Sequence, residues 1–376
     1  MNDILAKVIR RLGVGGQTLS MFGGLATDIV SCDVSSIEKS RHVLTDTFMR
    51  KNFSVLRDNH MCTPLCDLQI VIPAYNVEKY IEQCVDSVLA QETQFSFRVF
   101  IVNDGSTDST PQILEKYVGH PQVTIVNQTN KGLSEARNTG IKDIIGRYVM
   151  FVDSDDYLLP GAVESLMSVA VDTSDDLVQG AYNVFYDDTQ SVDHTTRGVT
   201  SEVRSAVYQA GRLPGFAWGK VFKAELFKNI IFPPGMWYED TIMGMCVFPL
   251  IKTYSTVTSP VYCYRKRRGS ITASQATPRA LETWWVTEGI AREWKEMGVE
   301  KKQSLYDFMF CQFRCNYDRV HLLNDKSVDR AMFILTCDLM AREFAGFCTE
   351  KKSETLFEKS LRTYDFGLYD MCCKLM

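Results

Sequence analysis

The stretch YVMFVDSDDYL (residues 148–158) drives an apolar and aromatic run into three acids, Asp153, Asp155 and Asp156. Such a run reads as a buried strand, and carboxylates this close repel unless something positive stands between them. In an extended segment alternate side chains share a face, so Asp153 and Asp155 can point to one side. Two carboxylates at the end of a buried strand suit a hard divalent cation with oxygen ligands. A solvated acidic loop, with Asp156 capping the next helix, fits the same residues. For the motif alone both readings stand.

Upstream, the pattern is regular from Asp67. LQIVIP (68–73) is a short apolar run closed by proline, as for a buried strand. VEKYIEQCVDSVLAQ follows with Ile81, Cys84, Val85, Val88 and Leu89 at helical spacing. FRVFIVN (97–103) is a second strand. Ser109 or Thr110 can cap a helix with Pro111 in its first turn. VTIVN (123–127) is a third strand, and LSEARNTGIKDII reads as a helix with Ala136, Ile141, Ile144 and Ile145 on its apolar side. RYVMFV (147–152) is the fourth strand. The alternation predicts an α/β fold: a mainly parallel, Rossmann-like sheet with helices on both faces. Ligands of such sheets bind outside the carboxyl ends of the strands, where PAYN (73–76), NDGSTD (103–108) and DSDD should converge.

The flanks are less legible. Residues 1–66 lack sustained periodicity and read as an extension, partly helical near 36–56. Residues 187–204 are polar and read as a loop or hairpin. From residue 279 onward, ALETWWVTEGIAREWKEM and SLYDFMFCQFRCNYDRVHLL have helical spacing, which predicts a C-terminal helical region. The expected division is therefore an extension (1–66), a catalytic domain (67–275) and a helical region (276–376).

Composition narrows the classes. The chain has 376 residues, 45% hydrophobic and 23% charged, with a formal net charge of −5. That is an ordinary globular balance, and it argues against electrostatically driven nucleic-acid binding. Twelve scattered cysteines read as free thiols of a reducing compartment. No run of about 18 apolar residues is present, so a spanning helix is not expected. The apolar stretch after Lys7, Arg10 and Arg11 is interrupted by Gly, Gln, Thr and Ser, which argues against secretion.

Other motifs acquire meaning only together. Asp104 ends a strand before Gly105, where it could accept from a base or ribose, or simply make an Asx turn. Arg137, in NKGLSEARNTG, is available to a phosphate or an acidic partner. In WYEDT (237–241), Glu239 and Asp240 could equally be acids favoured at a helix start. Trp218 and Trp237 could stack on sugar rings or fill a core. Arg265, Lys266, Arg267 and Arg268 precede Gly269 and Ser270. They could grip phosphate oxygens, meet an anionic lipid-linked acceptor or membrane surface, or form a solvated basic turn.

Taken in order, VIPAYNVEKYIEQCVDSVLAQ, IVNDGSTDST, NKGLSEARNTGI, YVMFVDSDDYL, WGKVF, YED and YRKRRGSIT resemble the family-2 inverting glycosyltransferases of the A-type nucleotide-sugar fold. The resemblance covers roughly residues 67–275. It implies that Pro73, Ala74 and Tyr75 flank a nucleobase, that Asp104 binds uracil or ribose, and that Arg137 supports that pocket. Asp153, Ser154 and Asp155 match the DxD motif, with Asp155 the direct metal ligand and Asp153 nearer the ribose or metal. Arg265, Arg267 and Ser270 match the segment that closes on the donor. Asp240 matches the general base, with Glu239 supporting it. The implied cofactor is Mn2+ or Mg2+, and the implied partners are a UDP-sugar donor and a saccharide or lipid-linked glycan acceptor. The expected location is cytoplasmic, with peripheral association at the inner membrane face. A catalytically silent nucleotide-sugar-binding or scaffold protein is the alternative of another class. A nucleotidyltransferase is disfavoured because PAYNVEKY supplies no Gly-rich, basic triphosphate loop. The donor sugar, the linkage and the oligomeric state are not written in these residues.

Overall fold

The computed structural model describes residues 28–58, 61–207, 213–267 and 276–375. The chain falls into two compact units. One, Phe53–Ala273 with Gly289–Glu300, is built on a sheet. The other joins the chain up to Asn52 to Ser274–Glu288 and Lys301–Met376.

In the sheet unit, strands β1 (Met61–Ala74), β2 (Phe97–Asp104), β3 (Val123–Gln128) and β4 (Ile144–Phe151) lie in the order β3-β2-β1-β4, all parallel. The short strand β5 (Tyr157–Leu158) follows the acidic turn. Strands β6 (Leu177–Tyr186), β7 (Ser191–Arg197), β8 (Val203–Val207), β9 (Lys220–Lys223) and β10 (Thr253–Lys266) extend the sheet as β4-β9-β6-β10-β5. There β9 runs antiparallel to both neighbours, whereas β6 and β10 are parallel. β7 pairs antiparallel with β6, so the polar stretch 187–204 contains a hairpin arm.

Alternate residues of β1 divide the core between two layers. Leu68, Ile70 and Ile72 pack with Ile81, Cys84, Val85 and Val88 of helix α2 (Ile81–Leu89) and with Val163, Leu166 and Met167 of helix α5 (Ala162–Thr173). Fully burying each such aliphatic side chain contributes about 1.5–3 kcal/mol. Gln69 and Val71 face the opposite layer, where helix α4 (Leu133–Gly140) lies. Between these helices in sequence comes the short α3 (Thr110–Leu114). An added Cβ at Gly140 would stand 2.2 Å from Val71 Cγ1, so glycine lets α4 sit directly on the strand.

The helix expected to continue through Ile144 and Ile145 ends instead at Gly140, and both isoleucines belong to β4. Gln69 explains the break. Fully buried, it donates from Nε2 to Gly140 O (2.7 Å) and accepts at Oε1 from the Ile145 N–H (2.8 Å). One side chain satisfies the helix end and the strand start, which hydrophobic spacing alone cannot express.

The helical unit contains α1 (Val34–Thr47), whose N-cap Asp33 accepts from Ser36 N–H at 2.7 Å. After α6 (Phe248–Leu250), which belongs to the sheet unit, and α7 (Glu282–Glu293), whose residues are divided between the units, the helical unit continues with α8 (Gln303–His321), α9 (Lys326–Glu343), α10 (Thr355–Arg362) and α11 (Phe366–Leu375). Phe333, Phe357 and Tyr369 meet in its core. Buried Glu288 is paired with Arg41 at 2.5 Å. The C-terminal helical region is thus present, and helix forms within the stretch expected near 36–56. Among the described residues all eleven cysteines are free, and no helix is long and apolar enough to cross a membrane. Cys62, the expected chain start and the proposed apolar stretch before residue 28 lie outside what is described in side-chain detail.

Candidate functional site

The carboxyl ends of β1, β2 and β4 carry the first three motifs, and β1 beside β4 is where the strand order reverses. Pro73 and Ala74 are buried in register with Val102 and Asn103, while Tyr75 emerges 46% exposed. The loop behind Tyr75 is laced to the loop after β2. Thr107 N–H donates to Asn76 Oδ1 (2.8 Å), Val77 N–H to Thr110 Oγ1 (2.9 Å) and Glu78 N–H to Asp108 Oδ2 (3.0 Å).

Asp104 is 2% exposed and serves a third loop. It accepts from the Lys131 and Gly132 N–H groups, both at 2.8 Å, and from Gln128 Nε2 at 2.7 Å. Gly105, at φ +70°, lets this loop close: a Cβ there would stand 2.7 Å from Asn130 N.

The crowded acids of the DSDD turn each have a different counterpart. Arg137, on α4 and 2% exposed, donates from one guanidinium nitrogen to Asp153 Oδ1 (2.7 Å) and from the other to Glu239 Oε1 (2.6 Å). Burial opposes its charge, but the two carboxylates outweigh that and hold it above its ordinary pKa. Asp155 Oδ2 accepts from Arg267 Nε at 2.6 Å. Burial, then Asp153, pushes its carboxyl up, and Arg267 opposes the shift. Asp156 points inward, accepting from Tyr262 OH (2.7 Å) and the Arg265 N–H (2.7 Å), and the Asp153 N–H donates to the same Tyr262 oxygen (3.1 Å). Burial, reinforced by Asp155 and Asp153, holds the Asp156 carboxyl well above the usual carboxylate range. Ser154 is buried within the turn.

Arg265 and Arg267 sit on opposite sides of a division that their spacing conceals. Arg265 is 6% exposed and fully engaged: Nε donates to Asp155 O (2.7 Å), and its other nitrogens donate to Gln83 Oε1 (2.5 Å) and Asp187 Oδ1 (3.2 Å). Phe185 and Tyr80 flank its guanidinium at 4.5 and 4.9 Å. Arg267 is partly open and borders a cavity of about 750 Å³ lined also by Lys79, Tyr80, Tyr186, Asp187 and Lys266. Ser270 lies outside the described residues.

Glu239 and Asp240 follow a loop with left-handed Gly235 (φ +67°) and Tyr238 (φ +62°). Tyrosine rarely adopts that conformation, and such strain clusters at functional sites. Asp240 then opens a helical segment containing a π-helical turn, Met243–Val247, with Met243 N–H on Asp240 O at 2.9 Å. Burial raises the Glu239 carboxyl, against the pull of Arg137. Trp237 is half-buried beside Tyr238. Trp218 is a core residue, stacked on Phe216 (3.6 Å) and Tyr262 (4.5 Å).

Several supporting residues escaped the motif reading. Tyr262 and Gln83 hold the acidic turn and Arg265, while Ser134 and Asn138 hold the loop before Glu239. Lys220, in WGKVF, is fully buried with Nζ donating to Phe216 O at 2.7 Å, and burial lowers its pKa well below the usual lysine value. A lysine inside an apolar strand was the available signal for it.

Residues 69–230 match the sequence model described as Glycosyl transferase family 2. The chain is 33% identical over 218 residues to the glycosyltransferase GlyA of Streptococcus pneumoniae serotype 4, an alignment covering 54% of this chain and 31% of that protein. It is 31% identical, also over 218 residues, to EpsJ of Bacillus subtilis, described as an uncharacterized glycosyltransferase, covering 54% of this chain and 62% of that one. The alignments thus span less than two thirds of either relative. Among solved structures, S. aureus TarS 1–349 in complex with UDP-GlcNAc superposes with a TM-score of 0.61 at 20% identity, covering 81% of this chain and 89% of that one. That likeness concerns the fold, which is the A-type glycosyltransferase fold. In sequence, the likeness to glycosyltransferase family 2 is carried by residues 69–230 of the sheet unit.

Proposed function

We propose that this chain transfers a sugar, with inversion, from a nucleotide-diphosphate donor, a UDP-sugar by preference, to a hydroxyl of a saccharide or lipid-linked glycan. The observation that carries the reading is Arg137. One buried guanidinium joins Asp153 of the DSD motif to Glu239 of the ED motif, which lies 102 positions further along the chain than Arg137 itself. That two acidic motifs apart in sequence meet at one guanidinium supports reading them as parts of a single site. The catalytic domain is proposed as residues 67–275, with 1–66 as an N-terminal extension and 276–376 as an accessory helical region.

The chain's own groups divide the work. Pro73, Ala74 and Tyr75 are proposed to flank the base and Asp104 to meet the uracil or ribose, with Arg137 bracing the pocket. Asp153 and Asp155 would hold Mn2+ or Mg2+. Their carboxylate oxygens suit a hard cation, whereas both Asp156 oxygens are occupied inside the protein. When bound, such a cation would neutralise charge on the departing diphosphate. Arg267 is proposed to grip the diphosphate together with Ser270, while Arg265, matched to the same segment, braces Asp155 through its backbone. Asp240 would take the proton of the attacking hydroxyl as that oxygen bonds to the anomeric carbon. Glu239, fixed by Arg137, would keep the Asp240 backbone in place.

A thermal-shift screen of UDP- and GDP-sugars with Mn2+ or Mg2+ tests this directly, because a ligand of the native state raises its stability. A UDP-sugar that raises the melting temperature only with metal is the expected result. No shift with any nucleotide sugar would overturn the reading in favour of a silent scaffold.

A further inference from the structure

The helix that carries Arg137 also grips the loop leading to Asp240. Asn138 Oδ1 accepts from the Phe232 N–H at 2.8 Å, and its Nδ2 donates to Phe232 O at 2.9 Å. One side chain thus satisfies both backbone groups of one residue, as a neighbouring strand would. One turn earlier, Ser134 Oγ donates to Met236 O at 3.1 Å. Positions 134, 137 and 138 share a helix face by their spacing of three and four. The Phe232 ring lies 5.3 Å from the Arg137 guanidinium. Ser134, Arg137 and Asn138 are all buried, so these hydrogen bonds act away from water, where they are strongest.

Between the last of these contacts and Asp240 stands left-handed Tyr238. Its conformation is disfavoured locally and persists only because the surroundings impose it. We propose that Asn138 and Ser134 are positioning residues for the transfer step. They seat the loop 232–238 on α4 and so set where Asp240 stands relative to the carboxylate that Arg137 holds on the same face. The inference rests on the assignment of Asp240 as base.

The test uses the full chain with Asn138→Ala, Ser134→Ala, Asp240→Asn and the double variant Asn138→Ala/Asp240→Asn. Three quantities are measured: UDP affinity with Mn2+ by calorimetry, amide exchange across 232–243, and UDP release. Release is followed from whichever of UDP-glucose, UDP-galactose and UDP-N-acetylglucosamine gives the largest thermal shift, with water as acceptor. Asn138→Ala should keep UDP affinity within about twofold, speed exchange in 232–243, and slow release about 10- to 100-fold, the scale of a 1 Å misplacement. In the double variant release should be no slower than in Asp240→Asn, because two groups acting through one base are not additive. Ser134→Ala should show the same pattern more weakly, and it serves alone if Asn138→Ala does not fold.

An Asp240→Asn variant that releases UDP at the wild-type rate overturns the base assignment, and this inference with it. If Asp240→Asn is slowed but still measurable, the inference alone falls under any of three results. These are unchanged release in the positioning variants, UDP affinity falling in step with release, or additive losses in the double variant.

Discussion

The acidic turn Asp153–Asp156 and the loop Phe232–Asp240 both bring carboxylates to Arg137, yet they are supported in contrasting ways. The turn is the direct continuation of β4, a buried central strand, and Tyr262 and the Arg265 backbone fasten its inner acid. Behind the loop stands an isolated antiparallel bridge, Leu56–Ile230, in place of a full strand. The loop depends on the side chains of α4 and on two left-handed residues. A site built this way fixes one set of acids through the backbone and the other through side chains. Substitutions at the turn should therefore alter what binds, and substitutions at the loop should alter what turns over.

The sharpest way to break that contrast is Asp240→Asn. On the proposed roles, steady-state transfer falls by about 10²- to 10⁴-fold, the usual contribution of a general base, while UDP affinity stays near wild type. A parallel loss of both would merge the two regions into one binding surface. Next is Asp155→Ala. Calorimetry with Mn2+ should show UDP affinity lowered at least tenfold, about 1.4 kcal/mol, with little change when metal is withheld. Unchanged affinity with metal would remove Asp155 from the donor edge.

Arg267→Ala should weaken UDP binding by only a few-fold. Its Nε–Asp155 contact is partly exposed, and such pairs contribute little beyond about 1 kcal/mol. Equal loss in Arg265→Ala with an unchanged melting temperature would contradict the division between the two arginines, since Arg265 is buried and its loss should show first in stability. The smallest effect concerns Asp156. Its folded-state pKa is raised above the unfolded value, so its contribution to stability is present at low pH and is lost as pH rises toward the folded value. Melting curves from pH 4 to pH 8, without metal, should slope downward less steeply in Asp156→Asn. A wild-type slope in that variant would mean that the carboxyl is not the titrating group.

How much of this could be read beforehand differs between residues for physical reasons. The four parallel strands were legible because their apolar runs end at Pro73, Asp104, Asn127 and Asp153, at broadly regular intervals. The boundary at Gly140 was not, because Ile144 and Ile145 satisfy helical spacing and strand composition alike, and Gln69, which decides between them, lies more than 70 residues away. The second half of the sheet carries no such signal. Strand β9 is four residues long, and β10 carries polar and apolar residues without clean alternation. At the candidate site, residue types and order were visible, but their pairing was not. Nothing local to Arg137 indicates that its partners are Asp153 and Glu239, or that Arg265 turns inward while Arg267 stays at the opening. Those distinctions arise from which strand edge each residue reaches.

The absent side chain of Gly140 has a consequence beyond packing. Helix α4 rests on β1 with no spacer, and the same helix presents Arg137 and Asn138 to the acids and the loop. The gap between sheet and helix is therefore the gauge by which both acidic motifs are set. A single methyl at position 140 would act as a shim. It would lift the guanidinium and the carboxamide together and detune the two motifs at once, although it touches neither.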